Sequence, residues 1–122
     1  AATRLKTQFG IAVGADNVAA VAGADVVVFA LKPMQVLEVA RELAAAGVLS
    51  PRTLVVSIAA GVTTAQLEEI LGPRVAVVRA MPNTPCSIGC GTTVLAPGKG
   101  LIAVGWLWVS TFIRMWLNLL CF

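Results

Sequence analysis

The sequence predicts an α/β domain with a mainly parallel, doubly wound sheet, and three observations predict it. Three short apolar runs rich in β-branched residues read as strands buried on both faces: "DVVVFAL" (Asp25 to Leu31), "TLVVSIAA" (Thr53 to Ala60) and "RVAVVRAM" (Arg74 to Met81). A stretch with helical apolar spacing separates each run from the next. The connections between them are short and carry Gly or Pro. Strand, helix, strand, helix, strand is the order of parallel βαβ units with helices packed on the sheet.

The elements follow in order. Arg4 to Phe9 reads as the end of a helix closed by Gly10. "IAV" (Ile11 to Val13) reads as a short strand. Asp16 or Asn17 then caps a short Ala/Val helix. The first buried strand ends at "KP". "MQVLEVARELAAA" (Met34 to Ala46) is amphipathic: Val36, Leu37, Val39, Ala40 and Leu43 form its apolar face, while Glu38, Arg41 and Glu42 face water. Gly47 ends it, and "SPR" turns the chain into the second strand. "GVTTAQLEEIL" starts the next helix with Thr63 or Thr64 as cap, and only a loose capping box, drawn through Thr64 and Glu68 with Gln66, is visible. Gly72-Pro73 stops that helix, the third strand follows, and Thr92 to Ala96 reads as one more strand.

Composition narrows the function. At 122 residues the chain fits one small domain. With 58% hydrophobic and 12% charged residues it has ample material for a core, which excludes disorder of the whole. The net charge of +3 is scattered rather than clustered, so no nucleic-acid footprint is present. The chain has no His and no Tyr, which removes histidine acid–base chemistry, Ser-His triads and histidine metal sites. Cys86 and Cys90 are spaced Cys-x3-Cys without a second pair, so no metal site is expected, and the three cysteines read as free thiols of a reduced cytosol. The N-terminus carries no signal-peptide pattern.

Ligands of open α/β sheets collect outside the carboxyl ends of the strands. Three segments fall there: "ALKP" (Ala30 to Pro33), "AAGV" (Ala59 to Val62) and "AMPNTP" (Ala80 to Pro85). Each places a small residue just past a buried strand, where a ligand can approach the backbone, and free N–H groups opening the next helix favour an anion. Singly these are ordinary tight turns; three in register point to a cleft. No G-x-G-x-x-G lies between a strand and a helix. Lys32 is either a cation for phosphate or a solvated strand-end lysine. Pro33 suits the first position of a helix. Pro82 and Pro85 stiffen a loop, which lowers the ordering cost of binding. Asn83 offers both a donor and an acceptor, or simply forms a turn. Arg79 reads as a structural ion-pair partner.

The order and spacing of "ADVVVFALKP", "VVSIAAGVT" and "VVRAMPNTP…GCGTT" resemble the nucleotide-binding domain of pyrroline-5-carboxylate reductase, over about residues 4 to 100. The resemblance implies a Rossmann-type domain binding NADP, with NAD possible, and hydride transfer from the nicotinamide to the C=N of 1-pyrroline-5-carboxylate, giving L-proline. It implies a cytoplasmic, homo-oligomeric enzyme. Matched position by position, it implies that Asn17 contacts the adenosine side. Ala30, Leu31, Lys32 and Pro33 would lie beside the ribose and phosphates. Ala59, Ala60 and Gly61 would run along the nicotinamide half, and Met81, Pro82 and Asn83 would close over the nicotinamide. No catalytic residue is assigned within the chain.

Two departures from the family pattern shape the expected organisation. The first βαβ unit, which carries the glycine fingerprint, has no counterpart, so the domain expected over residues 1 to 100 is a partial one. From Leu101 to Phe122 the chain is apolar, with Arg114 its sole charge, and reads as a helical tail. About 22 residues of helix span roughly 33 Å, near the ~30 Å of a bilayer core. The tail reads either as a membrane segment, which would make this a membrane-tethered nucleotide-binding module, or as a frameshift-like extension of a fragment. The fragment alone is expected to be inactive. Another NADP-dependent dehydrogenase, such as a prephenate or F420-linked enzyme, is the rival enzyme reading, although "RAMPNTP" at this spacing is not expected of it.

Overall fold

A computed structural model of the chain describes residues 2–88 and 90–101. It shows four helices: α1 (Ala2–Phe9), α2 (Asn17–Val21), α3 (Pro33–Ala46) and α4 (Thr64–Leu71). The strands are β1 (Val26–Phe29), β2 (Leu54–Ser57), β3 (Ala76–Pro82) and β4 (Thr93–Pro97), with a 3-10 turn at Thr84–Ile88. They form one sheet in the order β1-β2-β3-β4. The first three strands are parallel, in the register Phe29↔Ser57↔Arg79, and β4 is antiparallel to β3. The expected α/β class and mainly parallel sheet are thus present.

Burial follows the sequence runs. All four residues of β2, the strand with a parallel neighbour on either side, are buried. Strand side chains alternate between faces, and the core divides accordingly. On one face Val27, Phe29, Val55 and Val77 pack with Val36, Ala40 and Leu43 of α3 and Leu67 of α4. On the other, Leu54, Val56, Val78 and Ala80 form a second cluster joined by Leu95 and Leu101. A buried side chain of this size contributes roughly 1.5–3 kcal/mol, so the two clusters fix the sheet.

The helix ends obey local chemistry. Gly10 N–H donates to the Lys6 carbonyl at 3.0 Å and closes α1. Asp16, not Asn17, caps α2 by accepting from Val18 N and Ala19 N. Gly47 closes α3 by donating to the Ala44 carbonyl. The capping box of α4 is complete and runs through Thr63 rather than the expected Thr64: Thr63 accepts from Gln66 N at 3.2 Å, and the Gln66 side chain accepts from Thr63 N at 2.9 Å.

One expected element is missing. Ile11–Val13 is not a strand, and Ile11 and Val13 are 49% and 38% exposed. Three apolar residues carry no strand identity without a ladder partner, and among the described residues none pairs with them. The apolar tail expected over 101–122 falls, apart from Leu101, outside the described residues. No helix among the described residues is long and apolar enough to cross a membrane.

Candidate functional site

Parallel register is what assembles the candidate edge. Phe29, Ser57 and Arg79 are level across the sheet, so the segments that follow them emerge side by side. The backbone ties the first two together, with Ile58 N–H donating to the Phe29 carbonyl at 3.2 Å. β3 continues to Pro82 because β4 supports it, through the pairs Met81↔Val94 and Pro82↔Thr93.

After β1, Ala30, Leu31, Lys32 and Pro33 are all exposed. Lys32 stands at the N-cap of α3 and makes no side-chain cap bond, and Pro33 occupies the first helical turn as expected. The first intrahelical bond at this end is Val36 N–H to the Lys32 carbonyl, at 3.1 Å. The amides of Met34 and Gln35 therefore point out of an uncapped, 14-residue helix, with a lysine beside them. Such an end favours an anion. α4 differs, because its capping box already uses the donors of Thr63 and Gln66.

After β2, Ser57 is fully buried and its Oγ accepts from Ala59 N at 3.4 Å, which folds the chain back. Ala59 is buried, whereas Ala60 and Gly61 are exposed. Gly61 has φ +74°, and a Cβ there would meet nothing within 4 Å. The constraint at Gly61 is conformational, and the space beside its backbone is open. After β3, Met81 and Pro82 are half-buried and Asn83 is exposed. Asn83 Oδ1 accepts from Thr92 N at 2.9 Å, which closes the loop onto the start of β4. Asn83 thus shapes the loop with its oxygen, and its amide nitrogen makes no hydrogen bond among the described residues.

Asn17 lies apart from these loops in sequence, at the first turn of α2. Its Nδ2 donates to Glu42 Oε2 on α3 at 3.0 Å, so the amide is anchored to the helix that begins at Pro33. The structure therefore brings together Ala30 to Pro33, Ala59 to Gly61 and Met81 to Asn83, and links Asn17 to α3.

Arg79 lies in β3, level with Ser57. It forms no ion pair among the described residues, contrary to the structural role expected of it. Its Nη2 donates to Met81 Sδ at 3.6 Å, and its buried Nε has no partner among the described residues. Among the described residues no group of three or more His, Cys, Asp or Glu side chains is placed to hold a metal.

The three-loop edge fits an extended, anionic ligand that needs backbone donors at one end and close approach to small residues further along. Residues 1–61 match the family model described as NADP oxidoreductase, coenzyme F420-dependent, and the chain belongs to that family. Among the particular proteins it resembles are pyrroline-5-carboxylate reductases. It is 40% identical over 120 residues to the pyrroline-5-carboxylate reductase of Pseudomonas aeruginosa, an alignment covering 94% of this chain and 43% of that protein. The solved pyrroline-5-carboxylate reductase of Coxiella burnetii superposes with a TM-score of 0.80 at 36% identity, covering 92% of this chain and 41% of that one. The Plasmodium falciparum enzyme, solved with NADP bound, gives 0.67 at 27% identity, covering 79% and 36%. The chain spans about a third to two-fifths of the length of the curated relatives it matches.

Proposed function

We propose that this chain is the nucleotide-binding portion of a pyrroline-5-carboxylate reductase and that the carboxyl edge of its sheet holds NADP(H). The observation that carries this reading is the uncapped N-terminus of α3, with Lys32 beside it, level with two further loops built from small residues. Bound NADPH would supply the hydride that reduces the C=N of 1-pyrroline-5-carboxylate to L-proline, in proline biosynthesis. The protein's part is to hold and orient. Lys32 and the Met34 and Gln35 amides would bind phosphate, and Ala30, Leu31 and Pro33 would shape that end. Asn17 would meet the adenosine side. Ala59, Ala60 and Gly61 would let the nicotinamide half approach the backbone, while Met81, Pro82 and Asn83 would close over the ring and exclude water. Residues 1–100 are the nucleotide-binding unit in this reading. A cytoplasmic homo-oligomer is the proposed working form.

The family model ends at Gly61, before the "RAMPNTP" loop. The reductase reading therefore leans on that loop and on the longer matches to named reductases, whereas the match over residues 1–61 fits any NADP-linked member of the family. Isothermal titration calorimetry of the chain with NADP+ and NAD+ tests the proposal. One site per chain, weakened in Lys32→Gln, is expected. Heat-silent titrations with both nucleotides would remove the cofactor reading.

A further inference from the structure

Among the described residues Arg79 has no carboxylate partner. Its position in β3 is opposite Ser57 on one side and Ala96 on the other, neither of them acidic. Its side chain lies on the face that carries Ser57, Val77 and Met81, because alternate strand residues share a face. The hydrogen bond from Nη2 to Met81 Sδ shows that the guanidinium runs along the strand toward its carboxyl end. A thioether is a weak acceptor. The Nε–H is buried and has no acceptor among the described residues. A guanidinium does not lose its proton in a protein, so neutralisation is no escape.

The carboxylates of the chain are committed or distant in sequence. All six lie at or before Glu69, so the 53 residues from Ile70 to Phe122 contain no Asp or Glu. Asp16 caps α2, Glu42 accepts from Asn17, and Glu68 Oε1 accepts from Gly100 N at 2.8 Å. None pairs with Arg79 among the described residues. Buried polar groups in native structures are almost always hydrogen-bonded, and an unpaired one asks for an explanation.

We propose that Arg79 is a ligand-binding residue whose counter-anion comes from a bound small molecule: an oxyanion, carboxylate or phosphate, delivered to the carboxyl end of β3. The guanidinium fork suits such a group because two of its N–H donors match two oxygens. Resting on the cofactor-cleft reading, two sources are at hand, a phosphate of the dinucleotide and the carboxylate of the imino acid. The β3 loop lies two strands away from the uncapped helix end where a dinucleotide phosphate is expected, which favours the carboxylate.

The test observes the Arg79 Nε–Hε resonance of the full 122-residue chain by 15N NMR during separate additions of NADP+, L-proline and inorganic phosphate, and of L-proline with NADP+ present. A downfield shift of that proton with slowed exchange is expected on adding the oxyanion ligand. A response to NADP+ or phosphate alone identifies phosphate as the source, and a response requiring L-proline identifies the carboxylate. Arg79→Gln should weaken the responding ligand roughly tenfold to a hundredfold, the size of a charge-assisted hydrogen bond, with Arg79→Lys in between. If Arg79→Gln fails to fold, the wild-type resonance alone decides. Cofactor shifts at Ala30 to Pro33 with an unchanged Arg79 resonance under every addition overturn this inference and leave the cofactor reading intact. Absence of binding by any probe overturns both.

Discussion

Lys32 and Asn83 stand at opposite ends of the candidate edge, and their surroundings predict different failures. Lys32 is exposed and bonds to no cap, so Lys32→Gln removes a charge that the fold does not use. Its thermal midpoint should match the wild type, while NADP+ affinity measured by calorimetry falls roughly tenfold, the worth of one charge-assisted contact. Asn83 holds its loop closed through Thr92 N. Asn83→Ala should cost about 1 kcal/mol in urea denaturation, and Asn83→Asp, which keeps the accepting oxygen, should cost less. The sequence offered both roles for Asn83, turn former and ligand donor, and the structure assigns the oxygen to the turn. For Arg79 the sequence held a usable signal, the absence of any carboxylate after Glu69. That signal goes unnoticed when a strand-end arginine is assumed to have an acidic neighbour.

At the scale of elements, what was legible depended on how local the cause is. β1, β2, β3, α3 and α4 were readable because their apolar patterns are long enough to fix both type and face. β4 was readable as a strand, but its antiparallel direction depends on the loop from Thr84 to Thr92, which no periodicity encodes. Ile11–Val13 is not the expected strand, because a three-residue run becomes a strand only through a partner. The α4 cap stays open between Thr63 and Thr64 in the sequence because two threonines compete for it, and the Gln66 bonds settle the choice on Thr63. Thr63→Ala should therefore destabilise the fold by about 1 kcal/mol, whereas Thr64→Ala should be close to neutral. Gly98 marks a contact between elements. A Cβ there would meet the Glu68 carboxylate and stand 3.1 Å from the Val77 carbonyl. The carboxylate could swing away only by releasing Gly100 N, and the carbonyl belongs to the sheet. Gly98→Ala is expected to cost about 1–3 kcal/mol, read from the shift of a denaturation midpoint.

For the whole molecule, two buried clusters hold a four-stranded sheet so that three loops share one edge. A ligand that binds only the folded state raises stability by mass action, about 2.7 kcal/mol at a hundredfold excess over its Kd. NADP+ should accordingly raise the melting temperature of the chain in a concentration-dependent way, while adenosine alone should do so weakly. The chain spans about a third to two-fifths of its reductase relatives. No residue of its candidate edge is assigned a catalytic role, and the purified 122-residue chain is expected to bind cofactor without turning over 1-pyrroline-5-carboxylate. A spectrophotometric assay of NADPH oxidation checks this.

The most direct measurement of the central claim is an amide 15N–1H map of the full chain titrated with NADP+. Saturable shifts concentrated at Ala30 to Gln35, Ala59 to Gly61 and Met81 to Asn83 are the predicted result. Shifts centred instead on the amino ends of the strands, around Gly47 to Arg52 and Pro73 to Val75, or no saturable shifts at all, would contradict it.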